Sequence, residues 1–421
     1  MLARKSLIAA AVLAALSGTA FAGNGTVNTN QDGSNNATFV GQNGSINSTV
    51  NVTQTGKNNK AGNAGKSITQ ASTDSTLSIT QLKDGNIAAA SQTGTRNTGS
   101  ISQTASRGDD NRQSADLKQA GAWNNGSISQ TANLGATSAK LSQDGTGNSA
   151  AVVQEGNRNG AATLTQSNDQ NQGWVTQKNN TNATGTLTQA GNSNLGAITQ
   201  TGAEYATATI SQTGSLNKAW ATQTNLVAGG EKKAAIAQNG NSNTATVNQN
   251  WSYNTNGTVT QTGNANTGTV YQYDADSSNA ALTQAGNNNT GYLSQNDADG
   301  SSLTAKQTGG YNSVTATQKG DGLSANINQD GTSNTVNASQ NGLRLEADIT
   351  QNGSNNLVNS TQAGAFNEET LLQAGNNNAI TVNQAATAYN NTAFVSQTGS
   401  YLTANVVQAG GAGNTATITQ R

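Results

Sequence analysis

Two acidic pairs, Asp274/Asp276 and Asp297/Asp299, are the residues whose type and spacing first suggest chemistry. Carboxylates two residues apart could ligate calcium or act as a glycosidase acid and base. Each pair, however, closely follows a glutamine in turn-rich sequence, where Asp commonly bonds to nearby backbone. Turn chemistry is therefore the favoured reading. His and Cys are both absent, which removes the common nucleophile–base triads and zinc sites. No enzyme, cofactor or metal is expected. What the sequence supplies in quantity is amide: Gln and Asn recur at fixed places, and their side chains both donate and accept hydrogen bonds.

The unit that carries these amides is clearest in Gln238-Asn-Gly-Asn-Ser-Asn-Thr-Ala-Thr-Val-Asn-Gln249. After a turn at Gly240, Asn243, Ala245, Val247 and Gln249 alternate with Thr244, Thr246 and Asn248. Successive side chains of a strand point to opposite faces, so the first set lies on one face and the second on the other. Between Gln31 and Gln420 there are 34 such anchoring glutamines, and 28 of the 33 intervals are 11 or 12 residues. Two residues before the anchor, 27 of 34 positions are Val, Ile or Leu and five are Ala. Gly stands two residues after the anchor in 22 of 33 cases, and Asn five after it in 21 of 33. A disordered Gln/Asn-rich tract would match the composition of 32% apolar and 4% aromatic residues, but it would not hold this register.

The elements that must position the amides follow directly. Each unit is a strand of about five or six residues and a Gly/Asn turn. Intervals of 11 and 12 often alternate between Gln143 and Gln307, which implies coils of 22–23 residues, each made of two arms. The expected fold is all-β: a parallel β-solenoid with two facing sheets and about 17 coils, roughly 80 Å long at about 4.8 Å per coil. It becomes cross-β if it polymerises.

The inward amide ladder is expected at Gln189, Asn194, Gln200, Gln212, Asn217, Gln223, Gln238, Asn243, Gln249, Gln261, Asn266, Gln272, Gln284, Asn289 and Gln295. Ile198, Ile210, Val247, Val259, Val270, Leu282 and Leu293 form the inward apolar column, and Gly191, Gly214, Gly240, Gly263 and Gly286 the turn glycines. Identical amides on successive coils can bond along the axis and so set register.

Residues 1–22 read as a signal peptide, with Arg4 and Lys5, an apolar run Leu7–Leu16, and a cleavage site at Ala20, Ala22 and Gly23. The run is too short to span a bilayer, and no transmembrane anchor is expected. A lead-in at 23–30 precedes the repeats at 31–421. Without Arg4 and Lys5 the charge is 18 basic against 21 acidic residues, about −3, which leaves no basic field for nucleic acid. Pro is absent, as expected where nearly every strand is central and needs its N–H. Five intervals are longer: Gln54–Gln70, Gln103–Gln119, Gln130–Gln143, Gln223–Gln238 and Gln384–Gln397. Their extra residues, such as Thr55–Gly62 and Arg107–Arg112, are of turn type and should bulge from an edge.

The unit Gln-x-Gly-x-x-Asn-x-Ala-x-x-x-Gln resembles the curlin repeat of curli subunits. Gln238–Gln249 and Gln212–Gln223 match it throughout, and Gln284–Gln295 nearly so, with Gly291 in place of Ala. The resemblance covers about residues 31–420. It implies a secreted subunit that self-assembles into extracellular amyloid fibres on the bacterial surface, for adhesion and biofilm matrix. Its implied partners are further copies of itself, a dedicated outer-membrane secretion pore and a nucleator. The chain departs from the familiar curlins in having about three times their repeats and a poor match to their Gly-rich export segment.

Two other readings remain. Outward pairs Thr207/Thr209, Thr244/Thr246 and Thr415/Thr417 suggest an ice-binding face, but Arg344–Gln351 interrupts it. A capped, non-polymerising adhesin could use Trp174, Trp220 and Tyr292 on the outer face, where cross-strand packing is the plainer role. A regular unit, Asn414–Gln420, favours end-to-end stacking through an open edge. Charged Lys140, Glu346 and Asp348 would restrain premature pairing.

Overall fold

The alternation written into each arm is what closes the molecule into a solenoid. The computed structural model describes residues 23–62, 67–104, 112–227 and 229–421. Ala20, Ala22 and the rest of 1–22 lie outside the described residues, as do residues 105–111, on which most of the expected turn Arg107–Arg112 falls. Among the described residues there are strands and turns and no helix, so no helix is long and apolar enough to cross a membrane.

Two parallel sheets run the length of the stack. The chain lays an arm in the first sheet, turns, lays an arm in the second, and returns one coil further on. Thus Thr244–Asn250 pairs with Thr267–Tyr273 in one sheet, while Asn256–Asn264 pairs with Asn279–Asn287 in the other. Register is kept by the anchors, Gln249 opposite Gln272 and Gln261 opposite Gln284. A coil takes 22 or 23 residues in the regular stretches, and 26 where the turn after Gln223 is lengthened. The molecule is a parallel β-solenoid of about 17 turns.

The core is a thin seam between the sheets. Ile198, Val247, Val259, Val270 and Leu293 have no exposed surface, and Ile210 and Leu282 are 1% exposed. One apolar cluster continues from Val50 to Val406. The outer faces carry Thr, Ser and Asn, with Lys140, Glu346 and Asp348 exposed there.

The strands are longer than the five or six residues expected. Asn256–Asn264 and Asn279–Asn287 each have nine. The reason lies in the glycines: Gly263 and Gly286, expected in turns, keep their ladder pairing with each other at φ of 109° and 124°. Gly191, Gly214 and Gly240 also have positive φ but sit just past their strands.

Candidate functional site

The amides make the longest continuous feature of the molecule. In the second sheet Gln189 donates to Gln212, Gln212 to Gln238, Gln238 to Gln261 and Gln261 to Gln284, at 2.8–2.9 Å. In the first sheet Gln200 donates to Gln223, Gln223 to Gln249, Gln249 to Gln272 and Gln272 to Gln295, again at 2.8–2.9 Å. All these side chains are buried. In each bond Nε2 belongs to the earlier coil and Oε1 to the later, so both ladders point the same way.

The second hydrogen of each Nε2 fixes that direction. Gln261 Nε2 also donates to the carbonyl of Thr244 at 2.9 Å, and Gln284 Nε2 to that of Thr267 at 3.0 Å. Thr244 and Thr267 start the facing arms. Gln261 and Gln284 thus bond their own column and pin the opposite sheet. A buried amide with its partners satisfied costs little, whereas one left unpaired costs about 1–3 kcal/mol.

The asparagines do something the sequence pattern did not reveal. Asn243 Oδ1 accepts from the backbone N–H of Asn266 at 3.0 Å and from its Nδ2 at 3.1 Å. Asn243 Nδ2 in turn donates to the carbonyl of Gly263 at 2.8 Å. Asn194, Asn217, Asn266 and Asn289 repeat the arrangement, binding Gly214, Gly240, Gly286 and Gly309. This ladder is therefore half side chain and half main chain, and it holds the turn as well as the register. Glycine is required beside it. A Cβ on Gly240 would collide with the carbonyl oxygen of Gly263, and one on Gly263 with that of Gly286.

The two edges of the stack differ. The Asn column just described runs along one edge. All five long intervals begin at glutamines of the first sheet, Gln54, Gln103, Gln130, Gln223 and Gln384, and so fall on the other edge. There the Asn slot is filled variously, most unexpectedly by Lys232, six residues before Gln238. Lys232 is 1% exposed, and its Nζ donates to the carbonyls of Glu204 (3.0 Å) and Gly229. It also lies 5.7 Å from the Tyr253 ring. Burial pushes its pKa down, and the Glu204 charge partly opposes that. Its position in the Asn slot was the available signal.

The acidic pairs lie on this same edge. Asp274 and Asp297 occupy turn positions with φ of 48°, and Lys319 is 3.7 Å from Asp297. Asp276 Oδ1 accepts the N–H of Tyr253, and Asp299 Oδ1 that of Asp276, each at 2.8 Å. These carboxylates bridge successive turns, and among the described residues no group of three acidic, His or Cys side chains gathers to hold a metal. Beside them Val227, Trp251, Tyr253 and Tyr273 border an open cleft of about 420 Å³. On the outer faces Trp174 and Tyr292 are exposed and Trp220 is half-buried.

Residues 298–331 match the family model of the curlin associated repeat. Over that stretch the chain is similar to a curlin repeat. The matched stretch contains Gln307 and Gln329, joined at 2.9 Å, and Gln318, joined to Gln295. The same ladders extend from the curlin repeat in both directions through the described residues. No curated protein matches the chain. The repeat and the solenoid are consistent with a structural protein rather than an enzyme.

Proposed function

We propose that this protein is a secreted structural subunit that stacks end to end into extracellular curli-like fibres, serving adhesion and biofilm matrix. One observation carries the reading: every coil presents downward the complement of what it presents upward. Gln261 accepts from Gln238 and donates to Gln284, and its neighbours repeat this along the stack. A coil of a second molecule can therefore continue the column with no new chemistry. The outermost described coils offer such faces. Gln31 and Gln42 donate inward to Gln54 and Gln70, which leaves their oxygens toward the open side. Gln408 and Gln420 accept from Gln384 and Gln397, with their Nε2 groups toward the other. Exposed strand edges recruit further strands. The curlin repeat supports self-assembly; a secretion pore and a nucleator are the further partners this reading calls for.

The test is electron microscopy and amyloid-dye binding on the chain lacking residues 1–22. Fibres with a 4.7–4.8 Å axial repeat, seeded by preformed material, are expected. A chain that stays monomeric for days at micromolar concentration, even when seeded, overturns the proposal. The cleft bordered by Trp251, Tyr253 and Tyr273 favours a second reading, a non-polymerising surface adhesin. Under that reading a monomer binds surfaces and loses binding on Trp251→Ala.

A further inference from the structure

One coil breaks the rule of its column. Glu369 stands four residues before Gln373, in the inward slot filled by Ala347 in the coil before it and Ala393 in the coil after. Ser360 stands two residues before Gln362, an inward slot that is aliphatic nearly everywhere else. Glu369 has no exposed surface and Ser360 is 3% exposed. The large residue in a small slot and the small one in a large slot face each other, so the exchange conserves volume. Ser360 Oγ donates to Glu369 Oε1 in a short hydrogen bond. Glu369 Oε2 has no partner at all.

The geometry points to a proton-operated latch: the coil is closed while the Glu369 carboxyl is neutral, and ionisation of that carboxyl loosens it. Nothing around the group can compensate a charge. The strand Glu346–Ser354 turns Ala347, Ile349 and Gln351 inward, and Thr392–Ser400 turns Ala393, Val395 and Gln397 inward. From the facing sheet come Val358, Ser360 and Gln362 of Leu357–Ala365, and Ile380, Val382 and Gln384 of Ala379–Gln384. None of these titrates. The nearest charged residues along these strands, Glu346, Asp348 and Glu368, lie on the solvent face and are all acidic. A buried carboxylate with one hydroxyl partner and an empty oxygen strongly disfavours its anion, while the neutral acid fits.

Burial raises the Glu369 pKa to about 7, only partly opposed by the Ser360 hydrogen bond. In an opened coil the group returns to its ordinary 4.5. The closed coil thus binds more protons between those values. Its contribution is complete below about 4.5 and is lost as pH rises through about 7, with no further change above.

Hydrogen exchange of the full chain, read by mass spectrometry and corrected for intrinsic pH dependence, tests this. Opening of residues 357–384 should rise about tenfold per pH unit between about pH 5 and 7, then level off. In Glu369→Gln, which keeps the shape without the proton, the profile should be flat, as should residues 261–284 in both proteins. An infrared band of a protonated carboxyl, present near pH 6 and missing from Glu369→Gln, should accompany it. A flat wild-type profile, a rise that survives in Glu369→Gln, an equal rise at 261–284, or no such band would each overturn the latch.

Discussion

At the scale of single residues, the molecule separates positions that only fill space from positions that carry hydrogen bonds in two directions. Gln261 belongs to the second kind: it accepts from Gln238 and donates to Gln284 and to the carbonyl of Thr244. Gln261→Ala takes a partner from three buried groups; Gln238 Nε2 keeps the Lys218 carbonyl, while Gln284 Oε1 is left unpaired at a cost of about 1–3 kcal/mol. The outward neighbour Thr260 is exposed, and Thr260→Ala should change stability by no more than about 0.5 kcal/mol. Local hydrogen exchange at 256–287 distinguishes the two; equal effects would mean the ladder does not hold register. The glycines allow a similar contrast. Gly263 has φ of 109° and a carbonyl oxygen where a Cβ would go, whereas Gly300 has φ of 61° and open space. Gly263→Ala should therefore cost several times as much as Gly300→Ala, whose penalty is about 1 kcal/mol of left-handed strain. Chemical denaturation of the two variants reads the difference.

At the scale of the arm and the coil, stability accrues between neighbours, so whole coils are interchangeable and half coils are not. Removing residues 262–284 joins Gln261 to Ala285 and restores both ladders, because Gln284 stands where Gln261 stood. That deletion should leave the circular-dichroism spectrum per residue and the thermal midpoint nearly unchanged. Removing only 262–272 sends every later arm to the opposite sheet. The Asn-bearing turns then meet the variable edge, and protection should fall on both sides of the junction. This level was the most readable in the sequence. The period placed the anchors, and the alternation told inside from outside at Asn243, Ala245, Val247 and Gln249, all of them buried. Strand ends were harder, since whether Gly263 turns or pairs depends on the glycine one coil away. For the same reason the use of the Gly263 carbonyl by Asn243 was invisible: it is a contact between coils, made only once they stack. Lys232 and Glu369 stood in view as breaks in the column, but burial gives them their meaning.

At the scale of the whole molecule, the shared direction of both glutamine ladders makes the rod polar, and polarity constrains how two copies can meet. Joining like ends would set Nε2 against Nε2 at Gln408 and Gln420, or Oε1 against Oε1 at Gln31 and Gln42. Joining unlike ends continues both columns. In that junction Thr26–Ser34 of one copy adds to Thr403–Gln408 of another, with Gln31 opposite Gln408 and Asn30 opposite Val407. Both Asn30 and Val407 are exposed, and the chain has no Cys to interfere. Paired residues of adjacent parallel strands lie about 4.8 Å apart, within disulfide range. Within one molecule the two positions sit at opposite ends of the stack. Asn30→Cys combined with Val407→Cys should therefore oxidise into covalent ladders of many copies under assembly conditions. A mixture of the two single variants should yield only heterodimers, and either variant alone should stay uncrosslinked. Homodimers from Asn30→Cys or Val407→Cys alone would show that like ends meet, and the directional continuation of the amide columns would then not be what joins the copies.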